Sequence, residues 1–94
     1  MTLRWTRRAL RRLDGIGAYV AEHDARAAGR LVARIVEQTD RLRLHPRLGR
    51  PARVPGTREL VVSGTPYVVA YRILADDVEV ITVLHSAQAW PKLL

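Results

Sequence analysis

Thr65-Pro66-Tyr67-Val68-Val69-Ala70-Tyr71-Arg72 stands at the centre of the stretch that decides the fold of this 94-residue chain. Arg58-Glu59-Leu60-Val61-Val62 precedes it, and the run from Val78 to His85 follows it. All three segments are rich in β-branched or aromatic residues, and short turns at Gly64-Thr65-Pro66 and Asp76-Asp77 separate them. The pattern therefore predicts three antiparallel strands in direct succession.

The central strand presents two different faces, because side chains alternate along a strand. Tyr67 and Tyr71 share one face, so we expect both rings to pack against the helices. Arg72 lies on the other face, where we expect it to pair across strands with Glu59 or Glu79.

Two amphipathic helices are predicted ahead of these strands. The first is capped by Thr6 and follows a short strand candidate, Leu3-Arg4-Trp5; apolar residues recur along it at three- and four-residue steps. Asp24 caps the second helix, which we expect to continue until Pro46 ends it. Because only a few residues join the two helices, they form an antiparallel hairpin.

The expected architecture is α+β, with residues 1–94 in a single domain. A short N-terminal strand precedes the helical hairpin, and a three-stranded antiparallel sheet follows it. The basic segment from Gly49 to Gly56 is expected to be an extended loop between the two. A chain of this length buries only about 60–65% of its unfolded surface, so a tightly bound partner would be a natural supplement to its core.

Composition excludes several classes of protein. The chain has no cysteine, so neither a disulfide framework nor a thiolate metal site is available. No apolar run approaches the roughly 18 residues of a membrane span, and the N-terminus does not resemble a signal peptide. His23, His45 and His85 lack the spacing of a metal motif. We therefore expect a cytoplasmic protein with no membrane contact, no metal and no cofactor.

The positive charge is concentrated in the first part of the chain. Residues 1–58 hold 14 arginines against five acidic residues, whereas residues 59–94 have a formal charge of −2. Arginine binds carboxylates and phosphates through a planar fork, so the expected partner is acidic, either a protein or a nucleic acid. With two tryptophans, three tyrosines and no phenylalanine, the chain is poorly equipped to stack on bases. A solvated basic face without a partner is the remaining alternative.

The chain resembles the ParE/RelE superfamily of bacterial toxins over nearly its whole length. The resemblance rests on segments that occur in a fixed order: Leu3-Arg4-Trp5-Thr6, Leu44-His45-Pro46-Arg47-Leu48-Gly49-Arg50-Pro51, Gly56-Thr57-Arg58-Glu59-Leu60-Val61-Val62, Pro66-Tyr67-Val68-Val69-Ala70-Tyr71-Arg72, and Val83-Leu84-His85 with Trp90-Pro91. The Arg-Glu-Leu-Val-Val and Pro-Tyr-x-x-x-Tyr-Arg motifs are typical of the ParE branch.

The resemblance implies a toxin of a type II toxin–antitoxin pair. ParE-like members poison DNA gyrase, whereas RelE-like members are ribosome-dependent nucleases that cut mRNA. Both are neutralised by a small antitoxin whose helix and extended tail wrap the toxin. For this chain it implies inhibition of DNA gyrase by binding, and a hetero-oligomer with a cognate, small, acidic, ParD-like antitoxin.

The nuclease function is an alternative that the residues disfavour. RelE-like enzymes place lysines and arginines along the sheet and after its last strand, to activate a hydroxyl and stabilise a charged phosphorane. The matching positions here hold Glu59, Val61, Val68 and, approximately, Ala87. No catalytic residue is therefore expected. If the chain were nevertheless a nuclease, His85, Arg72 and Arg58 would be the substitutes; a third alternative is a degenerate member that only binds antitoxin.

The expected antitoxin contacts are basic and aromatic residues of the helices, the connection after them and the chain ends. Two tryptophans serve as possible aromatic anchors, with core packing as the alternative for both. The expected set is Arg30, Arg34, Arg41, Arg50, Arg53, Arg58, Trp5 and Trp90.

Overall fold

The structure, a computed structural model, describes residues 1–87. It contains two helices, a short 3₁₀ helix and five strands. In chain order these are β1 (Thr2–Trp5), α1 (Arg7–Ala21), α2 (Ala25–Asp40), the 3₁₀ helix (Arg41–Arg43), β2 (Arg50–Pro51), β3 (Arg58–Val61), β4 (Tyr67–Leu74) and β5 (Asp77–His85). The α+β class, the N-terminal strand and the helical hairpin are thus confirmed. Trp90 lies outside the described residues.

Both predicted N-caps of the helices are confirmed. The Thr6 hydroxyl accepts a hydrogen bond from the Ala9 amide at 3.0 Å, and the Asp24 carboxylate accepts from the amides of Arg26 and Ala27. These bonds satisfy amides that the first helical turn leaves without a partner. α2 ends at Asp40, earlier than predicted, because the chain tightens into the 3₁₀ helix before it reaches Pro46.

Within residues 1–87 the sheet has five strands in the order β1-β5-β4-β3-β2, and not the predicted three. β3, β4 and β5 form the expected antiparallel meander. β1 joins the sheet by pairing in parallel with β5, and the two-residue β2 pairs antiparallel with Arg58 and Glu59. Both additions depend on partners distant in sequence, so local patterns could not reveal them. The segment predicted as a loop therefore contains an edge strand.

A β-bulge in β5 adjusts the sheet to the helices. Ala70 pairs with Thr82 but Tyr71 pairs with Val80, so Ile81 is an extra residue in β5. Because of this insertion, Val80 and Val83 both belong to the core beneath the helices although they are three residues apart. If side chains alternated strictly along β5, one of these two valines would point away from the core.

The core lies between the helical hairpin and one face of the sheet. The Tyr71 side chain is fully buried there with Ile35 and Leu42, and Tyr67 packs at its margin. The expected packing of the two tyrosines is confirmed. A Cβ atom at Gly17 would lie 3.1 Å from a methyl group of Val32, so α1 and α2 cross in close contact. No helix within residues 1–87 is long and apolar enough to cross a membrane.

Candidate functional site

An open groove of about 300 Å³ lies between the end of α2 and the β3 edge of the sheet. Its walls come from α2 with the 3₁₀ helix, from the loop before β2, and from β2 and β3. The lining residues are Gln38, Arg41, Leu48, Gly49, Arg50, Glu59, Leu60, Val61 and Ser63. Polar side chains therefore surround an apolar floor.

The floor of the groove is an incompletely paired strand edge. β2 covers β3 only at Arg58 and Glu59, and in the described part of the chain no strand pairs with the same edge at Leu60 or Val61. Val61 is 49% exposed and Leu48 is 42% exposed. Such an edge is a ready acceptor for an added strand, with main-chain hydrogen bonds for affinity and side-chain pockets for specificity.

Polar contacts fix the α2 wall to the end of β3. Arg34 donates a hydrogen bond to the Ser63 carbonyl at 3.2 Å, and the Gln38 side-chain oxygen accepts one from the Ser63 amide at 3.0 Å. Arg30 lies one turn before Arg34 on the same side of α2, because residues four apart share a helix face. Arg50 completes the opposite wall through its ion pair with Glu59, at 2.7 Å between Nη2 and Oε1.

Four of the predicted contact arginines are thus brought to one side of the molecule, whereas the other described contact residues are not. Arg30, Arg34, Arg41 and Arg50 lie in the groove or along the helix face that leads into it. Arg58 is half-buried on the helix side of β3, where it donates to the Gly49 carbonyl at 2.7 Å.

The other two described contact residues lie elsewhere. Trp5 packs against the core from β1, and Arg53 is exposed on the loop after β2. The structure therefore places neither of them in the groove.

Tyr71 and Gly49 hold the loop wall in position, a role that their sequence pattern did not predict. The Tyr71 hydroxyl donates to the Pro46 carbonyl at 2.7 Å and accepts from the Gly49 amide at 2.8 Å. Burial raises the pKa of Tyr71, while the Gly49 amide and the Arg58 charge act in the opposite direction. The only sequence signal was a tyrosine at an inward-facing strand position, which predicts burial but not the partners of its hydroxyl.

The three residues of the nuclease alternative do not converge. Arg72 lies on the face opposite the helices and pairs with Glu79 at 2.8 Å, one of its two expected partners. His85 pairs in register with Tyr67, and the two rings meet edge to face at 5.6 Å. Five residues of β4 separate these positions, a distance of about 16 Å along a strand. Arg58 points to the helix side, so no common site is formed.

Within residues 1–87, no group of three or more histidine and acidic side chains is placed so that it could hold a metal ion. The groove is lined by polar side chains, two of them arginines, and by apolar side chains and main-chain groups. This arrangement is suited to binding an acidic, partly apolar segment of polypeptide.

Comparison with known proteins finds a matching family model and two similar proteins, all of them described as toxins. A family model described as the ParE toxin of the type II toxin–antitoxin system parDE matches residues 3–90. The chain is 53% identical over 92 residues to a protein of Sinorhizobium fredii named "Putative toxin Y4kP", a match that covers 98% of this chain and 95% of that protein. It is 36% identical over 84 residues to the toxin RelE2 of Caulobacter vibrioides, with 89% and 93% covered.

A solved structure shows the same fold. One chain of the chromosomal ParDE TA system from P. aeruginosa matches with a TM-score of 0.82 and 32% sequence identity. The match covers 90% of this chain and 95% of that one.

Proposed function

This chain belongs to the ParE toxin family of type II toxin–antitoxin systems, and we propose that it inhibits DNA gyrase by binding and is neutralised by a cognate antitoxin. The proposed place of action is the cytoplasm, where gyrase and DNA are found. The observation that carries the binding part of the proposal is the groove, in which arginines border an uncovered strand edge.

The groove is the proposed antitoxin site, and its charge supports this. Arg41 and Arg50 line it, and Arg34 binds the lining residue Ser63. Within the lining Glu59 is the one acidic residue, and it is already paired with Arg50. An acidic antitoxin tail would be attracted by this excess and captured faster than a neutral one. Once bound, an extended tail can add to the β3 edge while a helix lies along the arginine side of α2. Arg30 lies on that side, and Arg53, Arg58, Trp5 and Trp90 are left as weaker candidates.

Charge reversal in the groove should weaken antitoxin binding. We expect Arg41→Glu to raise the Kd for the antitoxin at least about tenfold, because an attraction becomes a repulsion at the groove wall. The ligand is the small protein encoded by the reading frame adjacent to this chain's gene, and calorimetric titration measures the Kd. Arg11→Glu on α1 makes the same change in net charge outside the groove and should leave the Kd within about twofold.

Both variants should unfold close to the wild-type temperature, since exposed substitutions change stability by less than about 0.5 kcal/mol. Equal weakening by the two variants would mean that the overall charge, and not the groove, attracts the antitoxin. The assignment of the site would then be wrong.

The geometry supports inhibition by binding over catalysis. An RNA-cleaving site needs an acid, a base and a stabiliser of the phosphorane within reach of one phosphate. Arg72, His85 and Arg58 are separated along the strand or turned to different faces. Because one relative is named RelE2, the nuclease function remains the alternative. An experiment on the intact chain can separate inhibition of gyrase from cleavage of mRNA.

Pulse-labelling after induction of this chain in a bacterial host tests the target. We expect DNA synthesis to fall first while protein synthesis continues, because a poisoned gyrase blocks replication before translation. Incorporation of labelled thymidine and labelled leucine is measured in parallel at short times. Early loss of leucine incorporation would instead establish the nuclease function. If neither label changed, the chain would be a degenerate member that binds antitoxin only.

A further inference from the structure

The loop between the 3₁₀ helix and β2 presents leucine side chains to solvent. Leu44 is 82% exposed, more than any other large apolar side chain within residues 1–87, and Leu48 is 42% exposed. An open depression of about 430 Å³ lies on the loop and is lined by residues His45 to Leu48. A single exposed leucine is common on protein surfaces, so its exposure alone does not indicate a function.

The distinguishing observation is that this loop is rigidly held. The Leu44 and His45 amides both donate to the Arg41 carbonyl, at 3.2 and 3.0 Å, and the Leu48 amide donates to the His45 carbonyl at 3.0 Å. The Tyr71 hydroxyl then fixes the loop to the sheet at Pro46 and Gly49. An apolar side chain on a fixed backbone loses little conformational freedom when a partner binds it, and such preorganised residues make strong interface anchors.

The charge around the loop indicates the chemistry of its partner. Residues 41–58 contain six arginines and no acidic residue. They also contain no tryptophan, tyrosine or phenylalanine, the side chains on which bases most often stack in complexes with single-stranded nucleic acids. A leucine anchor surrounded by arginines fits an apolar pocket with an acidic rim on a protein.

We propose that Leu44 and Leu48 form a docking knob by which the toxin binds the protein that it inhibits. The inference rests on the proposed function, since it requires a protein target. Leu48 belongs both to the knob and to the lining of the groove, so a segment bound in the groove would cover one side of the knob. Antitoxin and target would therefore exclude each other by sharing Leu48.

The test is Leu44→Asp, compared with Leu10→Asp, which makes the same substitution at another exposed leucine, on α1. Each purified variant is titrated into a gyrase supercoiling assay and induced in a bacterial host to measure growth arrest. We expect Leu44→Asp to need at least about tenfold more protein for half-inhibition in both assays, with the antitoxin Kd within twofold of wild type. Leu10→Asp should match wild type throughout. Thermal unfolding establishes that both variants are folded.

The outcomes separate this inference from the proposed function. If Leu44→Asp inhibited as well as wild type, the knob would be wrong while the toxin function stood. If it lost antitoxin binding and kept growth arrest, the knob would belong to the antitoxin interface and the inference would again be overturned. Wild-type arrest of growth without inhibition of gyrase would contradict the proposed target, and the growth assay would still decide the role of Leu44. An inert wild-type chain would overturn both.

Discussion

Gly49→Ala is expected to lower the free energy of unfolding by about 3 kcal/mol, because no space exists for a methyl group at this position. A Cβ atom there would lie 2.7 Å from the Glu59 carbonyl oxygen and equally close to a ring carbon and the hydroxyl oxygen of Tyr71. The first of these contacts is with backbone inside the sheet, which cannot rotate away. Urea denaturation measures the change in the free energy of unfolding. A shift of the backbone that relieved either clash would also displace the loop that forms one wall of the groove.

A matched substitution on α2 provides the control. Gly29→Ala adds the same methyl group in a helix, where no atom lies within 4 Å of the new Cβ. Alanine is the better helix former, so this variant should be more stable than wild type by about 0.5–1 kcal/mol. If Gly49→Ala were as stable as wild type, the loop from Leu44 to Pro51 would have to move freely. Leu44 and Leu48 would then not form a fixed docking knob.

Tyr71→Phe is expected to cost about 2–3 kcal/mol although it removes a single oxygen atom. The variant leaves the buried Gly49 amide without its acceptor and the Pro46 carbonyl without its donor, and an unpaired buried group costs about 1–3 kcal/mol. In a chain of this size the melting temperature should fall by roughly 10 °C or more. Tyr19→Phe, at a tyrosine that is 65% exposed, should change it very little. A Tyr71→Phe protein as stable as wild type would show that the hydroxyl contacts contribute nothing.

The same hydroxyl should give the wild-type chain a characteristic alkaline sensitivity. Burial raises the pKa of Tyr71 in the folded state, so the folded chain retains a proton that the unfolded chain loses near pH 10. The stabilising contribution is therefore complete below about pH 10 and declines as the pH rises above it towards the folded-state pKa. Stability measured between neutral pH and about pH 11 should fall more steeply for wild type than for Tyr71→Phe.

The parts of the fold that depend on local sequence could be predicted. The caps at Thr6 and Asp24 bond to amides two or three residues away, and the meander from β3 to β5 is joined by short turns. Hydrophobic periodicity and turn residues carry this information. The class of the fold and the family therefore followed from residues that are neighbours in the chain or recur at short intervals.

The features of the fold that were not predicted involve partners that are distant in sequence. β1 pairs with β5 across 75 residues, as the register of Thr2 with Asp77 shows. The need for glycine at position 49 arises from Glu59 and Tyr71, and the bulge at Ile81 arises in the pairing of β5 with β4. In the candidate site, residues such as Arg34 and Arg50 were predicted from charge alone. Leu44 and Leu48 were passed over, because an apolar residue in a loop has no pattern that indicates exposure.

The short edge strand β2 has a consequence for the handling of this protein. Arg50 and Pro51 protect the adjoining half of β3, since a charged side chain and a residue without an amide hydrogen both discourage pairing with another chain. The half at Leu60 and Val61 has no such protection within the described residues. A toxin made without its antitoxin is therefore exposed to edge-to-edge association and precipitation as its concentration rises. In this respect the antitoxin would serve as a solubility factor as well as an inhibitor, and co-production of the two chains is the natural route to a stable sample.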